Sequence, residues 1–231
     1  VTIRGLELTS LVDFPGEVCT TVFFGGCNLR CPWCQNSVLV HGRHTPPAVE
    51  PEETLKLLLS RRAWIRAVCL TGGEPTLVPD LEEFLVRLKA HGFAVKLDTN
   101  GTFPDVLFRL LRRDLLDYVA MDVKAPLERY RLLAGVEVDG KAISSSVDLL
   151  KSGGTPYEFR TTVVPGLLRK DDLLAICRWL AGARRYVLQQ FRPSGTLLDP
   201  RLAGVQPYPA SFLYETAAEL DDFFLEVEVR D

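Results

Sequence analysis

No apolar run in this 231-residue sequence reaches the roughly 18 residues that a membrane helix needs. Neither sign of charge dominates. Lys and Arg number 27 against 30 Asp and Glu, a net charge of -3. That balance offers no electrostatic footprint for nucleic acid or for an anionic membrane. The opening residues, Val1-Thr2-Ile3-Arg4-Gly5, lack the apolar core of a signal peptide, so the expected compartment is the cytoplasm. Six cysteines are too few for a disulfide scaffold of this length. Low-complexity segments and internal repeats are missing too. Hydrophobic residues at 47% and charged residues at 25% exclude disorder, collagen and a coiled coil. The length suits one domain able to bury a substantial core. It is expected to span 1–231, with 1–17 as an N-terminal extension and 193–231 as a C-terminal loop, helix and edge strand.

What the sequence has is an alternation of two periods. Residues 18–24 are β-branched and aromatic and end at Gly25-Gly26, as a strand does. Further strands are expected at 67–70, 94–97, 118–123, 158–164 and 186–191. Between them, Leu81, Phe84, Leu85 and Leu88 follow helical spacing, as do Leu173, Ile176, Cys177 and Leu180. Other helices are expected near 52–60, 105–111, 144–150 and 211–220. Pro51, Pro79 and Pro104 stand near helix starts, where a missing backbone donor costs little. Six strands with intervening helices imply parallel βα units. A closed eightfold barrel typically needs about 250 residues, so a partial barrel or an open α/β sheet fits better. The Pro/Gly-rich stretch 193–209 reads as a long loop after the sixth strand. The tail, 223–229, alternates apolar and acidic residues like an edge strand.

The cysteines are unevenly placed. Cys27, Cys31 and Cys34 fall within eight residues, in Gly25-Gly26-Cys27-Asn28-Leu29-Arg30-Cys31-Pro32-Trp33-Cys34-Gln35-Asn36. Cys19, Cys69 and Cys177 are scattered and read as apolar filling of strands and a helix. Three thiolates on one loop can hold three irons of a [4Fe–4S] cluster, and the usual fourth Cys is missing nearby. The iron left without a protein ligand is then open to a cofactor or substrate. A zinc site with His41 or His44 as fourth ligand fits the same residues. So do three cysteines packed without a metal.

A second motif ends the next strand: Leu70-Thr71-Gly72-Gly73-Glu74-Pro75-Thr76. Two glycines allow a ligand to approach the backbone, and Glu74 offers an acceptor to an ammonium group. Polar groups also end the later strands, at Asp98-Thr99-Asn100-Gly101, at Asp122-Val123-Lys124, at Arg160 and at Gln190-Phe191-Arg192. In α/β folds such ends gather on one rim, although turns are polar in any case. The charged pairs Arg61-Arg62, Arg112-Arg113 and Arg184-Arg185 read as solvated helix ends.

The C-x3-C-x-aromatic-C spacing after the first strand, with Trp33 as the aromatic, resembles the radical S-adenosylmethionine (SAM) enzymes. Together with Gly72-Gly73-Glu74, with Leu11-Val12-Asp13-Phe14-Pro15-Gly16 and with the run from Met121 to Tyr130, it is similar to the activating enzymes of glycyl-radical enzymes. The resemblance is strongest to activating proteins of anaerobic ribonucleoside-triphosphate reductase. It implies a partial (β/α)6 TIM-type barrel in the α/β class. It also implies one [4Fe–4S] cluster on Cys27, Cys31 and Cys34, and SAM bound to the open iron. Gly72, Gly73 and Glu74 would take the SAM amino group, and Asp98 and Lys124 match SAM-contacting positions. Arg160 would line the cofactor or peptide site, and Trp33 would pack over the cluster or the adenine. Arg192 stands where pyruvate formate-lyase activators carry a SAM-contacting His, and Gln35 replaces the His after their third Cys. The implied reaction takes a hydrogen atom from a glycine of a partner enzyme. Electrons would come from reduced flavodoxin or a ferredoxin-type donor. The loop 193–209 would cover the mouth of the barrel. A radical SAM enzyme acting on a small molecule, such as a nucleobase precursor, needs the same cofactor residues.

Overall fold

A computed structural model describes residues 2–41, 46–193 and 195–231, without the side chain of His41. The chain divides into two compact units. The first comprises 1–28, 38–99 and 103–120; the second comprises 29–37, 100–102 and 121–231.

In the first unit, β1 (Ile3–Ser10) runs antiparallel to β2 (Cys19–Phe24). A short helix α1 (Ser37–His41) and the helix α2 (Pro51–Ser60) lead to β3 (Ala67–Gly72). Helix α3 (Leu81–Ala90) leads to β4 (Ala94–Thr99). Helix α4 (Pro104–Arg112) leads to β5 (Tyr118–Asp122), whose last two residues belong to the second unit. Strands β2, β3 and β4 are parallel, in the register Cys19↔Ala67↔Ala94.

The sequence dictates these elements locally. Pro51 and Pro104 open α2 and α4, where the proline ring presets φ. Helix α3 carries Glu82 and Glu83 in its first turn and Arg87 and Lys89 in its last, which complements the helix dipole. Its apolar stripe, Leu81, Phe84, Leu85 and Leu88, is buried. Full burial of each such side chain contributes about 1.5–3 kcal/mol. At the start of the strands Phe14, Cys19, Ala67, Cys69 and Tyr118 form one apolar cluster.

The second unit contains the cysteine-loop residues 29–37, followed later in the chain by α5 (Tyr130–Ala134), α6 (Gly140–Ser152) and β6 (Tyr157–Val163). Helix α7 (Lys170–Leu180), β7 (Arg185–Gln190), α8 (Ala210–Leu220) and β8 (Glu226–Arg230) complete it. Strands β6, β7 and β8 are parallel neighbours. Residues 190–210 contain one short 3-10 turn, Pro200–Gly204.

All six expected core strands form, with ends shifted by up to two residues. The main departure is β1, expected only as an extension. Its middle residues are half-buried or exposed, so it carries no apolar signal and is held by backbone pairing to β2. Arg185 is a second correction. It is not a solvated helix end, because α7 stops at Leu180 and Arg185 begins β7. There it pairs with Glu226 and Glu228, beside the fully buried Glu158. Cys19, Cys69 and Cys177 are fully buried, as their apolar positions predict.

Candidate cofactor site

In the first unit the site is built by close backbone approach. Strand β3 ends at Gly72, whose φ is +115°, and a Cβ there would lie 2.4 Å from Phe24 N. A Cβ on Gly73 would lie 1.8 Å from Gly26 O. Glycine is thus required at both positions. The contact is sealed by Gly73 N donating to Phe24 O at 2.9 Å and Glu74 N donating to Gly26 O at 2.8 Å. The Gly-Gly-Glu turn is therefore bonded directly to the residues that lead into Cys27.

Glu74 is 1% exposed. Its Oε1 accepts from Thr76 N at 3.1 Å, from Thr99 Oγ1 at 2.8 Å and from Thr76 Oγ1. These donors fix the carboxylate in one orientation. Thr76 and Thr99 were not among the residues expected from the sequence; the Thr99 contact spans two strands and 25 positions. Farther along β4, Asp98 forms an ion pair with the buried Lys96.

In the second unit Cys31 is buried and Cys34 half-buried. Cys34 N donates to Cys31 O at 3.0 Å, which closes the loop into a turn. The segment after β7 braces it. Leu198 N donates to Cys34 O at 3.1 Å and Asp199 N to Pro32 O at 2.9 Å. Ser37 Oγ donates to Thr196 O, and Gln35 Nε2 donates to Arg192 O at 2.9 Å. On the other side Arg30 N donates to Ala134 O at 2.8 Å. Gly135, with φ +71°, leaves room there, since a Cβ would lie 2.3 Å from Arg30 O. Trp33 is buried in this loop.

Asp122, at the end of β5, accepts from Lys124 Nζ at 2.9 Å and from Arg160 Nε at 2.8 Å. Burial alone would raise the Asp122 pKa, but Arg160 and Lys124 outweigh it and hold the carboxyl far below its usual range. Burial works against the Lys124 ammonium, yet Asp122 and Cys31 keep it firmly protonated. Burial raises the Cys34 thiol, while the Asn36 backbone donor and Lys124 pull it down. Tyr130, fully enclosed, accepts from Lys124 N at 3.3 Å and is pushed up by burial.

Asp122, Lys124 and Arg160 are thus brought together, with Lys124 set electrostatically beside Cys31 and Cys34. Arg192 is different. Its exposed guanidinium donates to Asp231 O, and only its backbone carbonyl meets the cysteine loop. The expected cover, 193–209, has its residues 196–199 hydrogen-bonded to that loop. His44 and the side chain of His41, the candidate zinc ligands, lie outside the described residues.

The donor set fits an iron–sulfur cluster. Three soft thiols sit on one braced loop, none of the six cysteines is in a disulfide, and the Lys124 cation stabilises thiolate nearby.

The sequence profile of the Radical SAM superfamily matches residues 21–180. The chain belongs to the radical SAM superfamily. Members use a [4Fe–4S] cluster and SAM, and this chain is a radical SAM enzyme with the α/β partial-barrel fold expected from its sequence. It is 32% identical over 197 residues to the "Putative glycyl-radical enzyme activating enzyme MJ1227" of Methanocaldococcus jannaschii, covering 83% of this chain and 80% of that protein. It is 27% identical over 205 residues to the pyruvate formate-lyase-activating enzyme of Clostridium pasteurianum, covering 84% and 82%. A 7-carboxy-7-deazaguanine synthase of Methanopyrus kandleri is 34% identical over 140 residues, which is 52% of this chain and 55% of that one. Among solved structures, Streptococcus suis SuiB bound to S-adenosylmethionine matches 89% of this chain with a TM-score of 0.66 and 12% identity. This chain spans 48% of SuiB. Among the described residues no helix is long and apolar enough to cross a membrane.

Proposed function

We propose that this radical SAM enzyme installs a glycyl radical on a partner enzyme, and that the partner is an anaerobic ribonucleoside-triphosphate reductase. The observation that carries this reading is the 32% identity to an activating-enzyme relative over four-fifths of that relative's length. The 7-carboxy-7-deazaguanine synthase matches only about half of each chain. In this reading 1–231 forms one radical SAM core, with reduced flavodoxin or a ferredoxin-type protein as electron donor.

Cys27, Cys31 and Cys34 would hold three irons of the cluster and leave the fourth open to SAM. When bound, that pair supplies reductive cleavage of the SAM sulfonium, giving methionine and a 5′-deoxyadenosyl radical. The chain's residues orient, charge-balance and shield. Glu74, locked by Thr76 and Thr99, presents a fixed carboxylate to the SAM ammonium. Gly72 and Gly73 bring backbone close to the same group. Asp98 and Lys124 complete the SAM contacts, Arg160 and Arg192 line the site toward the partner peptide, and Trp33 excludes water beside the cluster. No side chain needs to move a proton in hydrogen-atom abstraction.

The test is anaerobic incubation of reconstituted protein with reductant, SAM and the candidate reductase. The expected result is a glycyl-radical electron paramagnetic resonance signal on the reductase. Conversion of a purine or pterin precursor without any protein partner would favour the small-molecule reading instead. The Cys31→Ala variant should bind no cluster; normal iron content in it would remove Cys31 from the ligand set.

A further inference from the structure

Lys96 is a buried cation to which no cofactor role has been given. Its side chain is 2% exposed, inside a strand otherwise filled by apolar groups. The two-residue period of β4 puts it on the same face as Asp98, and the two side chains form an ion pair. Asp98 is itself only 15% exposed. The other titratable groups facing this pair within the first unit come from three elements. Cys69 on β3 has its Sγ 3.7 Å from Lys96 Nζ. Cys19 on β2 lies within electrostatic range of both Lys96 and Asp98. Asp13, between β1 and β2, is engaged by Thr21 Oγ1 at 2.6 Å.

Burial raises both thiols, Cys69 most strongly, so neither offers an anion to Lys96 near neutral pH. Asp98 is the anion in direct contact. A carboxyl taken out of water favours its neutral form, and an opposite charge within about 4–6 Å reverses that preference by about 1–3 pH units.

We propose that Lys96 is a positioning residue that keeps Asp98 ionised and aimed along β4, so that SAM meets a carboxylate rather than a carboxylic acid. This rests on the reading of Asp98 as a SAM contact. Without the ammonium, Asp98 keeps its burial and loses its counter-charge. It then takes up a proton at higher pH, and the negative hydrogen-bond acceptor is lost as pH falls.

The test compares equilibrium SAM binding to anaerobically reconstituted wild type, Lys96→Met and Lys96→Gln between pH 5.5 and 9. The quantity read is the ratio of variant to wild-type affinity at each pH, which cancels titration of SAM itself. The ordinary Asp value is about 3.9, and burial without compensation raises it by up to about 3–5 units, so the variant midpoint is expected between about 6 and 8. The ratio should therefore fall at least threefold from pH 9 to pH 5.5. A ratio that is flat across this range, in whichever of the two variants folds with normal iron content, overturns the proposal. Asp98→Asn separates the two ideas. If it binds SAM as tightly as wild type at every pH, the assignment of Asp98 to the cofactor fails. If it binds weakly while the Lys96 ratio stays flat, only the role of Lys96 fails.

Discussion

Replacing Gly73 by Ala tests the close approach on which the first unit's half of the site depends. The new Cβ would sit 1.8 Å from Gly26 O and 2.5 Å from Gly26 C. Both are backbone atoms, so no side chain can swing away. Relief requires the turn after β3 to withdraw by more than an ångström from the chain after β2. That shift breaks Gly73 N to Phe24 O and Glu74 N to Gly26 O. Each such bond contributes about 0.5–1.5 kcal/mol, and a buried group left unsatisfied costs about 1–3 kcal/mol. We expect a loss of about 2–3 kcal/mol. For a chain of this size each kcal/mol lowers Tm by about 2–4 °C, so the expected fall is about 4–12 °C. Thermal unfolding of the cluster-free protein measures it without reference to activity. Gly204→Ala is the control, because its Cβ would have nothing within 4 Å. The same withdrawal moves Glu74, so SAM affinity should fall too. A Gly73→Ala protein that melts with wild type and Gly204→Ala would refute the steric reasoning.

Other expectations follow from buried charge and buried sulfur. Arg230 clamps the fully buried Glu158 through two bonds, at 2.8 and 2.7 Å. Arg230→Met should cost about 2–4 kcal/mol in urea unfolding, since removing one partner strands a buried charge; little change would show β8 to be held by its backbone alone. Cys177 is pushed up to about 12 by burial. It should resist alkylation at pH 8 in the folded protein and label only on unfolding, which mass spectrometry of the tryptic peptide reads directly. Asp122 has a folded pKa depressed below its unfolded value. Its stabilisation is therefore present above the unfolded value of about 3.9 and lost as pH falls through the folded one. The stability difference between wild type and Asp122→Asn should stay constant from pH 8 to about 5 and shrink below about 4. A difference that instead grows on acidification would contradict the sign.

The strands were legible because most are buried on both faces and carry unbroken apolar runs, as at Ala67–Gly72 and Tyr118–Asp122. Strand β1 was not, since Gly5, Glu7 and Thr9 interrupt any apolar pattern and its pairing with β2 has two register shifts. The tail strand was expected over 223–229, but a 3-10 turn at Asp221–Phe223 delays it to Glu226–Arg230. Within the site, the three thiols and the Gly-Gly-Glu turn could be read from local spacing. Thr99 could not, because its bond to Glu74 depends on the register between strands. Lys96 was visible in the sequence, on the same strand face as Asp98. A strand lysine ordinarily turns to solvent, and only the structure shows this one enclosed. The brace of residues 196–199 on the cysteine loop is likewise a contact between backbone groups more than 160 positions apart, which no local pattern records.

The central claim is that a hydrogen atom leaves a glycine of a partner protein for the 5′-deoxyadenosyl group. The direct measurement labels the candidate reductase with glycine deuterated at Cα and incubates it anaerobically with the reconstituted enzyme, reductant and SAM. Mass spectrometry then reads the 5′-deoxyadenosine. The account predicts 5′-deoxyadenosine carrying one deuterium, formed only with all components and absent with Cys31→Ala. Unlabelled 5′-deoxyadenosine in the presence of labelled reductase, with no radical on the reductase, would contradict it.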